Sequence, residues 1–358
     1  VTCVLTGGDR DLAPNLVSAH IRPSHPLPEH PMGAGKKIAM GVGIVLGGVV
    51  LLAAGGYAWA SNSAATKLAA TYDVHRVDFP IPFPLTPAEA DSVRATQPTA
   101  DLAAVAHERA VARGKHLVTT IYVCGECHGQ NFGGGVMVDD PAIGKAHGAN
   151  LTLGKGSRTL TYTAADWDRM VRHGVKPSGT GSVMPSMDFF QMSDRELSGI
   201  VSYIRSLPSV DHEEPPVALG PVGKVLVATD QIRLAAAHHP TQHAITHAPV
   251  PPPAVADVTF GKHLAQTCSG CHGVQFAGGK IIGGPPDWPP AANITPTGLA
   301  GWTYADFRRA LTEGKSKDGR ALREPMANMP KFAKNMTDVE LQALWAYISS
   351  LPPQATPR

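Results

Sequence analysis

The chain has 358 residues, 43% apolar and 17% charged, a balance that suits two or three globular domains and not a disordered or fibrous protein. Lysine and arginine number 31 against 29 acidic residues, so the net charge is only +2, and with no long basic run this argues against nucleic acid as a partner. Of five cysteines, four sit in two tight clusters and Cys3 stands alone, which is not a disulfide framework.

Residues 1–37 are polar, carry Pro and His, and show no apolar periodicity, so they read as a disordered, cytoplasmic N-terminus. Met32 stands just before an export-like pattern and is a candidate true start. Residues 38–60 then contain no charge, a length sufficient to span the hydrocarbon core of a bilayer. Lys36 and Lys37 precede this run and favour a cytoplasmic N-terminus, while Tyr57 and Trp59 lie at the far end, where interfacial aromatics collect. Ala58-Trp59-Ala60 also resembles a signal-peptidase site, but the run exceeds the roughly 7–15 residues of a signal h-region. A retained single-pass anchor in a bacterial inner membrane is expected, with everything after it on the periplasmic side. Residues 61–100 are a Pro-rich spacer (Pro80, Pro82, Pro84, Pro87) that lifts the next domain off the membrane or packs along its side.

An internal repeat organises the remainder, with domains at 101–210 and 254–353. Gly114-Lys115-His116-Leu117 returns as Gly261-Lys262-His263-Leu264, and Ala149-Asn150-Leu151-Thr152 as Ala292-Asn293-Ile294-Thr295. Asp166-Trp167 returns as Asp306-Phe307, and Met192-Ser193-Asp194 as Met336-Thr337-Asp338. Each repeat closes on a helix announced by a capping box, Ser193 with Glu196 and Thr337 with Glu340. Leu197, Ile200, Val201 and Ile204, and likewise Leu341, Leu344, Trp345 and Ile348, fall on one helical face. Entry helices are expected near 103–118 and 257–266, and short middle helices near 166–172 and 306–311. The fold class expected is all-α. Residues 211–253 between the domains read as a linker, rich in proline. Its His238, His239, His243 and His247 form a His-rich tract that can bind metal, but without a compelling spacing they read as solvated linker.

At the heart of each repeat stands one pentapeptide, Cys124-Gly125-Glu126-Cys127-His128 and Cys268-Ser269-Gly270-Cys271-His272. C-x-x-C-H reads as an attachment site for c-type haem, the thiols bonding the haem vinyl groups and the histidine reaching the iron. A redox dithiol or half a zinc site explains the cysteines but neither the adjacent histidines nor the repeated surroundings. Histidine plus methionine suits electron transfer. Met184, in Val183-Met184-Pro185, lies on the loop before the closing helix, where a distal methionine belongs; Met187 and Met192 are alternatives, Met192 reading as core. In the second domain Met326 and Met329-Pro330 compete evenly. No histidine follows His272, which excludes a local bis-histidine second haem, and by parsimony His147 and His173 read as surface residues. Asn150 and Asn293 serve equally well as propionate partners or as turn formers.

On these motifs the chain resembles the membrane-anchored dihaem c-type cytochromes of bacteria, tandem class I cytochrome c-like domains similar to the cytochrome subunits of periplasmic alcohol and gluconate dehydrogenases. The resemblance covers about residues 101–353. It implies two covalently bound haem c groups and single-electron transfer from a dehydrogenase subunit to a terminal oxidase or soluble cytochrome, without catalysis of its own. The rival reading is an enzyme, a dihaem peroxidase or small-molecule oxidoreductase with one open haem.

Overall fold

A computed structural model of the chain describes residues 33–238, 240–281, 284 and 287–357. Cys3, Met32 and the expectation of N-terminal disorder, together with His239, lie outside the described residues. The chain divides after Ala54 into an N-terminal unit and a unit holding the rest.

Helix α1 (Ala34–Ala69) is the one helix among the described residues long and apolar enough to cross a membrane. Its 36 residues correspond to about 54 Å at 1.5 Å per residue, more than a bilayer core requires. The surplus lies in its C-terminal part, where Ala60 and Ala64 are buried and Lys67 Nζ caps the carbonyls of Val227 and Ala228 and pairs with Asp230 at 2.8 Å. The spacer packs along the first repeat. Phe79 joins the core, Ser198 donates to the Pro80 carbonyl, and α2 (Pro87–Thr96), capped by Thr86 and Glu89, is tied to Arg195.

Both repeats use one plan. In the first, α3 (Leu102–His116) crosses α6 (Asp194–Ser206), with α4 (Gly125–His128) and α5 (Ala164–His173) between them. Two connecting helices follow, α7 (Pro221–Ala228) and the single turn α8 (Ala235–His238). In the second repeat α9 (Val258–Ala265) crosses α13 (Asp338–Ser350), enclosing α10 (Ser269–His272), α11 (Tyr304–Glu313) and α12 (Pro330–Ala333). The middle helices carry their own capping boxes, Thr163 with Asp166 and Thr303 with Asp306. Each crossing needs glycine. A Cβ on Gly114 would stand 1.9 Å from the Gly199 carbonyl oxygen, and one on Gly261 1.9 Å from that of Ala343. The closing helices bury most of the predicted face: Leu197, Ile200, Val201, Ile204, Leu341, Leu344 and Ile348 lie in the core, each contributing about 1.5–3 kcal/mol, while Trp345 is half-buried against it.

The expectation of an all-α fold is corrected by a small antiparallel sheet of order β1-β2-β3: β1 (Gly135–Asp140), β2 (Gly144–Gly148) and β3 (Ala218–Leu219). Its outer strand is mostly exposed, so it lacks the alternating apolar signature by which strands are read. A turn in which the Asp140 carboxylate accepts from the amides of Ala142 and Ile143 closes the hairpin. β3 belongs to the expected linker, which is not solvated chain. His212 N–H donates to Lys155, Arg158 donates to Glu214, and the amides of Asp194 and Arg195 donate to Ala248 and Pro249. These main-chain pairings leave no mark on composition.

The repeats also bind one another reciprocally. In each capping box one carboxylate oxygen serves the helix cap and the other crosses to the opposite repeat. Glu196 Oε1 accepts from His263 Nε2 at 2.8 Å, and Glu340 Oε1 from His116 Nε2 at 2.7 Å.

Candidate haem-binding sites

Each pentapeptide folds into a single helical turn, α4 or α10, that ends on a glycine with φ +76°, Gly129 or Gly273. At Gly129 a Cβ would in addition stand 2.3 Å from the Gly134 carbonyl oxygen, so the chain can reverse here only without a side chain. The β1–β2 hairpin presses on the motif, since a Cβ on Gly148 would reach within 2.0 Å of the Cys127 carbonyl oxygen.

His128 Nδ1 lies 2.8 Å from the Ala149 carbonyl oxygen, and His272 Nδ1 2.7 Å from that of Ala292. A carbonyl only accepts, so Nδ1 carries the proton and Nε2 keeps its lone pair, the tautomer and orientation that a metal ligand needs. Burial lowers the pKa of both rings against the pull of these bonds, which keeps them neutral. The cysteines are not reactive dithiols. Burial pushes Cys124 up to about 12 and Cys268 up to about 11, and raises Cys127 and Cys271 as well, the reverse of the low pKa that marks a catalytic thiol.

In the first repeat a cavity of about 220 Å³ opens beside the motif, and Cys124, Cys127, His128 and Met184 all line it. The Met184 loop is held by its own amide donating to Ser182 Oγ and by the Ser186 amide donating to the Met184 carbonyl. Met192 also touches this cavity but is fully buried in the core, and its carbonyl accepts from Arg172. Met187 lines a different, smaller pocket beside His173. His147, on β2, and His173 are not among the residues lining the cavity; His173 is no surface residue but is buried, 3% exposed.

The cavity fits a haem. Its walls are mostly apolar, and the buried Trp167 Nε1 inside it has no hydrogen-bond partner, a donor left for an acidic group such as a propionate. Asn150 is already satisfied: its amide donates to the carbonyls of Val210 and His212, and its oxygen accepts from Thr152. Asn293 does the same with Gln354 and Thr295. Both asparagines therefore tie the loop to the chain beyond the closing helix and are not free for a propionate.

The second distal loop is longer. The amides of Ser182 and Leu322 donate to the carbonyls of Gly174 and Gly314, marking equivalent points. Ser186 and Pro330 then occupy equivalent places over those glycines. Between these marks lie residues 183–185 in the first repeat, with Met184 in the middle, and 323–329 in the second, with Met326 in the middle and Met329 at the end. Met326 opens a single 3-10 turn, and the Met329 carbonyl starts α12.

Sequence reading did not foresee that the two sites adjoin. Thr267, just before the second motif, lines the cavity of the first, and a Cβ on Gly270 would stand 2.6 Å from the Asp188 carboxylate oxygens. Burial pushes Asp188 up to about 7. Its isolation as an acid among large apolar residues, in Met187-Asp188-Phe189-Phe190, was the available signal.

Comparison with known proteins agrees with this geometry. Residues 258–352 match the family model of cytochrome c, and residues 109–204 that of the cytochrome c oxidase, cbb3-type, subunit III family. The chain is 25% identical over 288 residues to the fructose dehydrogenase cytochrome subunit of Gluconobacter japonicus, covering 74% of this chain and 57% of that protein. It is 26% identical over 248 residues to the cytochrome c subunit of the quinone alcohol dehydrogenase of Gluconacetobacter polyoxogenes, covering 63% and 52%. It is 35% identical over 99 residues to the gluconate 2-dehydrogenase cytochrome c subunit of Pantoea cypripedii, covering 25% and 22%. The chain thus spans little more than half the length of the first two. The protein is built of two tandem cytochrome c domains and is homologous to the cytochrome subunits of fructose, alcohol and gluconate dehydrogenases.

Proposed function

We propose that the chain is a membrane-anchored dihaem electron carrier, receiving single electrons from a dehydrogenase subunit and passing them to a terminal oxidase or soluble cytochrome. The observation that carries this reading is the repeated arrangement of a neutral histidine whose Nδ1–H is held by a carbonyl, two cysteines one turn away and, in the first repeat, a methionine in the same cavity. When bound, each haem supplies a one-electron Fe(II)/Fe(III) couple. Cys124 and Cys127 would hold the first group covalently, with His128 and Met184, which line the same cavity, as the residues that would bind its iron. Cys268, Cys271 and His272 would hold the second. Position within the loop favours Met326 as the methionine that would bind its iron, and the Met-Pro pairing favours Met329. Ala149 and Ala292 orient the histidines, Trp167 offers its N–H to a propionate, and the buried aliphatic walls exclude water. Methionine ligation, burial and hydrogen bonding are the levers that set the potential.

The names of the relatives support a dehydrogenase as donor. The C-terminal turns of α1, packed and ion-paired in the folded unit, support a retained anchor, and Lys36 and Lys37 before the uncharged run support haem domains on the periplasmic side.

Intact mass and a pyridine haemochrome assay on protein matured in a cytochrome c-producing host test the reading: two haems per chain, and one in Cys271→Ala. Met184→Ala removes the long-wavelength sulfur-to-iron band of one haem only, and of Met326→Ala and Met329→Ala a single variant removes the other. Rapid, full carbon monoxide binding at one reduced haem of the wild type would overturn the pure-carrier reading in favour of an enzyme with an open iron.

A further inference from the structure

Away from the haem cavity, three distant stretches of chain meet at a buried histidine cluster. His75 comes from the spacer, Asp168 and His173 from α5, and His247 from the segment before the second repeat; one donor atom from each lies within 4.8 Å of all the others. None is exposed: side-chain exposures are 11% for His75, 0% for Asp168 and His173, and 4% for His247.

Hydrogen bonds around the cluster set the ring tautomers. His75 Nδ1 lies 2.9 Å from the His243 carbonyl oxygen, so Nδ1 is the donor and Nε2 carries a lone pair. His243 Nε2 lies 2.9 Å from the Ala236 carbonyl oxygen, so its Nδ1 is an acceptor. His173 Nδ1, 3.2 Å away, is then the donor to His243, and His173 Nε2 is left bare as well. His247 turns Nε2 towards His173 Nε2 at 3.0 Å, a contact between two ring nitrogens that needs a proton or a cation between them. Asp168 commits Oδ1 to Arg172, while Oδ2 is 3.8 Å from both His75 Nε2 and His173 Nε2. His75 Nε2 and Asp168 Oδ2 are buried without any partner. Asp168 and Asp194 share the single guanidinium of Arg172, which leaves one negative charge at this place.

Lone pairs converging in a dry, net-negative pocket call for a cation. Bonds of about 2.0–2.1 Å in a tetrahedral zinc site separate the ligand atoms by about 3.4 Å; His173 and His247 Nε2 lie 3.0 Å apart, Asp168 Oδ2 lies 3.8 Å from His75 and His173 Nε2, and all four donors fall within 4.8 Å of one another, close enough for small side-chain shifts to close them on one ion. Three imidazoles with one carboxylate form a borderline donor set that suits zinc. We propose that His75, Asp168, His173 and His247 form a closed, four-ligand zinc site that clamps the spacer and the inter-repeat segment onto α5. His243 and Ala236 are its outer shell, holding the ligands in register as such partners do in metal sites. The role is structural, because the chain fills all four positions and leaves none for substrate. The clamp explains why the polar, histidine-rich segment between the repeats is folded.

The test is elemental analysis of the full-length, haem-loaded protein, purified in detergent without a polyhistidine tag, stripped with chelator and dialysed against zinc chloride. One zinc per chain is expected beside the haem iron. His75→Ala and Asp168→Asn should each weaken zinc binding at least ~100-fold with haem spectra unchanged, while the exposed His107→Ala leaves it as in the wild type. If His75→Ala disturbs the haem spectrum, His75→Gln replaces it, and His243→Ala, which spares all four ligands, should weaken binding ~10–100-fold. Wild-type protein that takes up no stoichiometric zinc, or His75 and Asp168 variants that bind it as tightly as wild type, would overturn the proposal and leave a proton or a water at the centre.

Discussion

Replacing His263 by alanine should loosen the two repeats more than replacing His116, although the two residues occupy the same place in the repeated Gly-Lys-His-Leu. His263 meets Glu196 where both side chains are buried, 8% and 5% exposed, whereas His116 is 33% exposed against a Glu340 that is 10% exposed. A hydrogen bond to a charged group contributes about 1.5–3 kcal/mol, and stranding a buried charge costs about 3–5 kcal/mol. Glu196 Oε2 keeps the amide and hydroxyl of Ser193, so only half of the carboxylate is stranded, and the loss should be about 2 kcal/mol. At His116 water reaches the contact, and about 1 kcal/mol is expected. Urea unfolding of the haem-loaded protein reads the difference, with midpoints ordered wild type, His116→Ala, His263→Ala. An equal or larger effect at His116, or no measurable effect at either, would refute the assignment of these pairs as the bonds between the domains. The pH dependence of the His116 variant adds a check. The bond donated to Glu340 raises the His116 pKa, so its contribution is complete below the ordinary value of 6.5 and fades as pH rises through the raised one. At Glu340 burial pulls upward, but the bonds from His116 and Thr337 outweigh it and the pKa is lowered, so that contribution is complete above 4.5 and fades in more acid solution. The gap between wild type and His116→Ala should therefore be widest between about pH 4.5 and 6.5.

Gly114→Ala and Gly261→Ala should each destabilise their own repeat by about 1–3 kcal/mol in thermal unfolding, because overpacking at a 1.9 Å approach exceeds the gain in helix propensity. Asp188 holds its proton up to about pH 7 in the folded state against an ordinary 3.8, so stability should fall as pH rises across that interval, and Asp188→Asn should flatten the slope in pH-dependent urea melts. In redox titrations the same carboxylate should lower the midpoint potential of the adjoining haem as it ionises near pH 7, a dependence that Asp188→Asn removes.

The residues most legible in the sequence are those whose partners lie within a few positions. The capping boxes and the apolar faces of the closing helices are local and appear as predicted, and the C-x-x-C-H motifs, legible as motifs, each form one helical turn. Capping boxes at Thr86, Thr163 and Thr303 obey the same rule and were equally readable. What was illegible depends on partners far along the chain. His173 and His247 look like solvated polar residues until α5 and the inter-repeat segment are brought together around His75. β3 is two residues of ordinary composition that become a strand only because β2 offers an unpaired edge. Met326 and Met329 stayed open for another reason: the loop that carries them is longer than its counterpart in the first repeat, so the repeat cannot be used to align them.

His116 and His263 lie between these cases, and they show how a repeat can encode its own interface. The histidine recurs in the sequence because the capping glutamate recurs, and each copy satisfies the other repeat's cap rather than its own. One carboxylate thereby does two things: Oε2 closes the N-terminus of the last helix and Oε1 fixes the neighbouring domain. Separating the domains would leave both capping carboxylates short of a partner, one of them in the interior, so docking of the repeats and integrity of the closing helices are energetically joined. Those helices are also the ones whose apolar faces line the cores against which the C-x-x-C-H turns are built. The contact that holds the two sites side by side is therefore part of the same structure that shapes each of them.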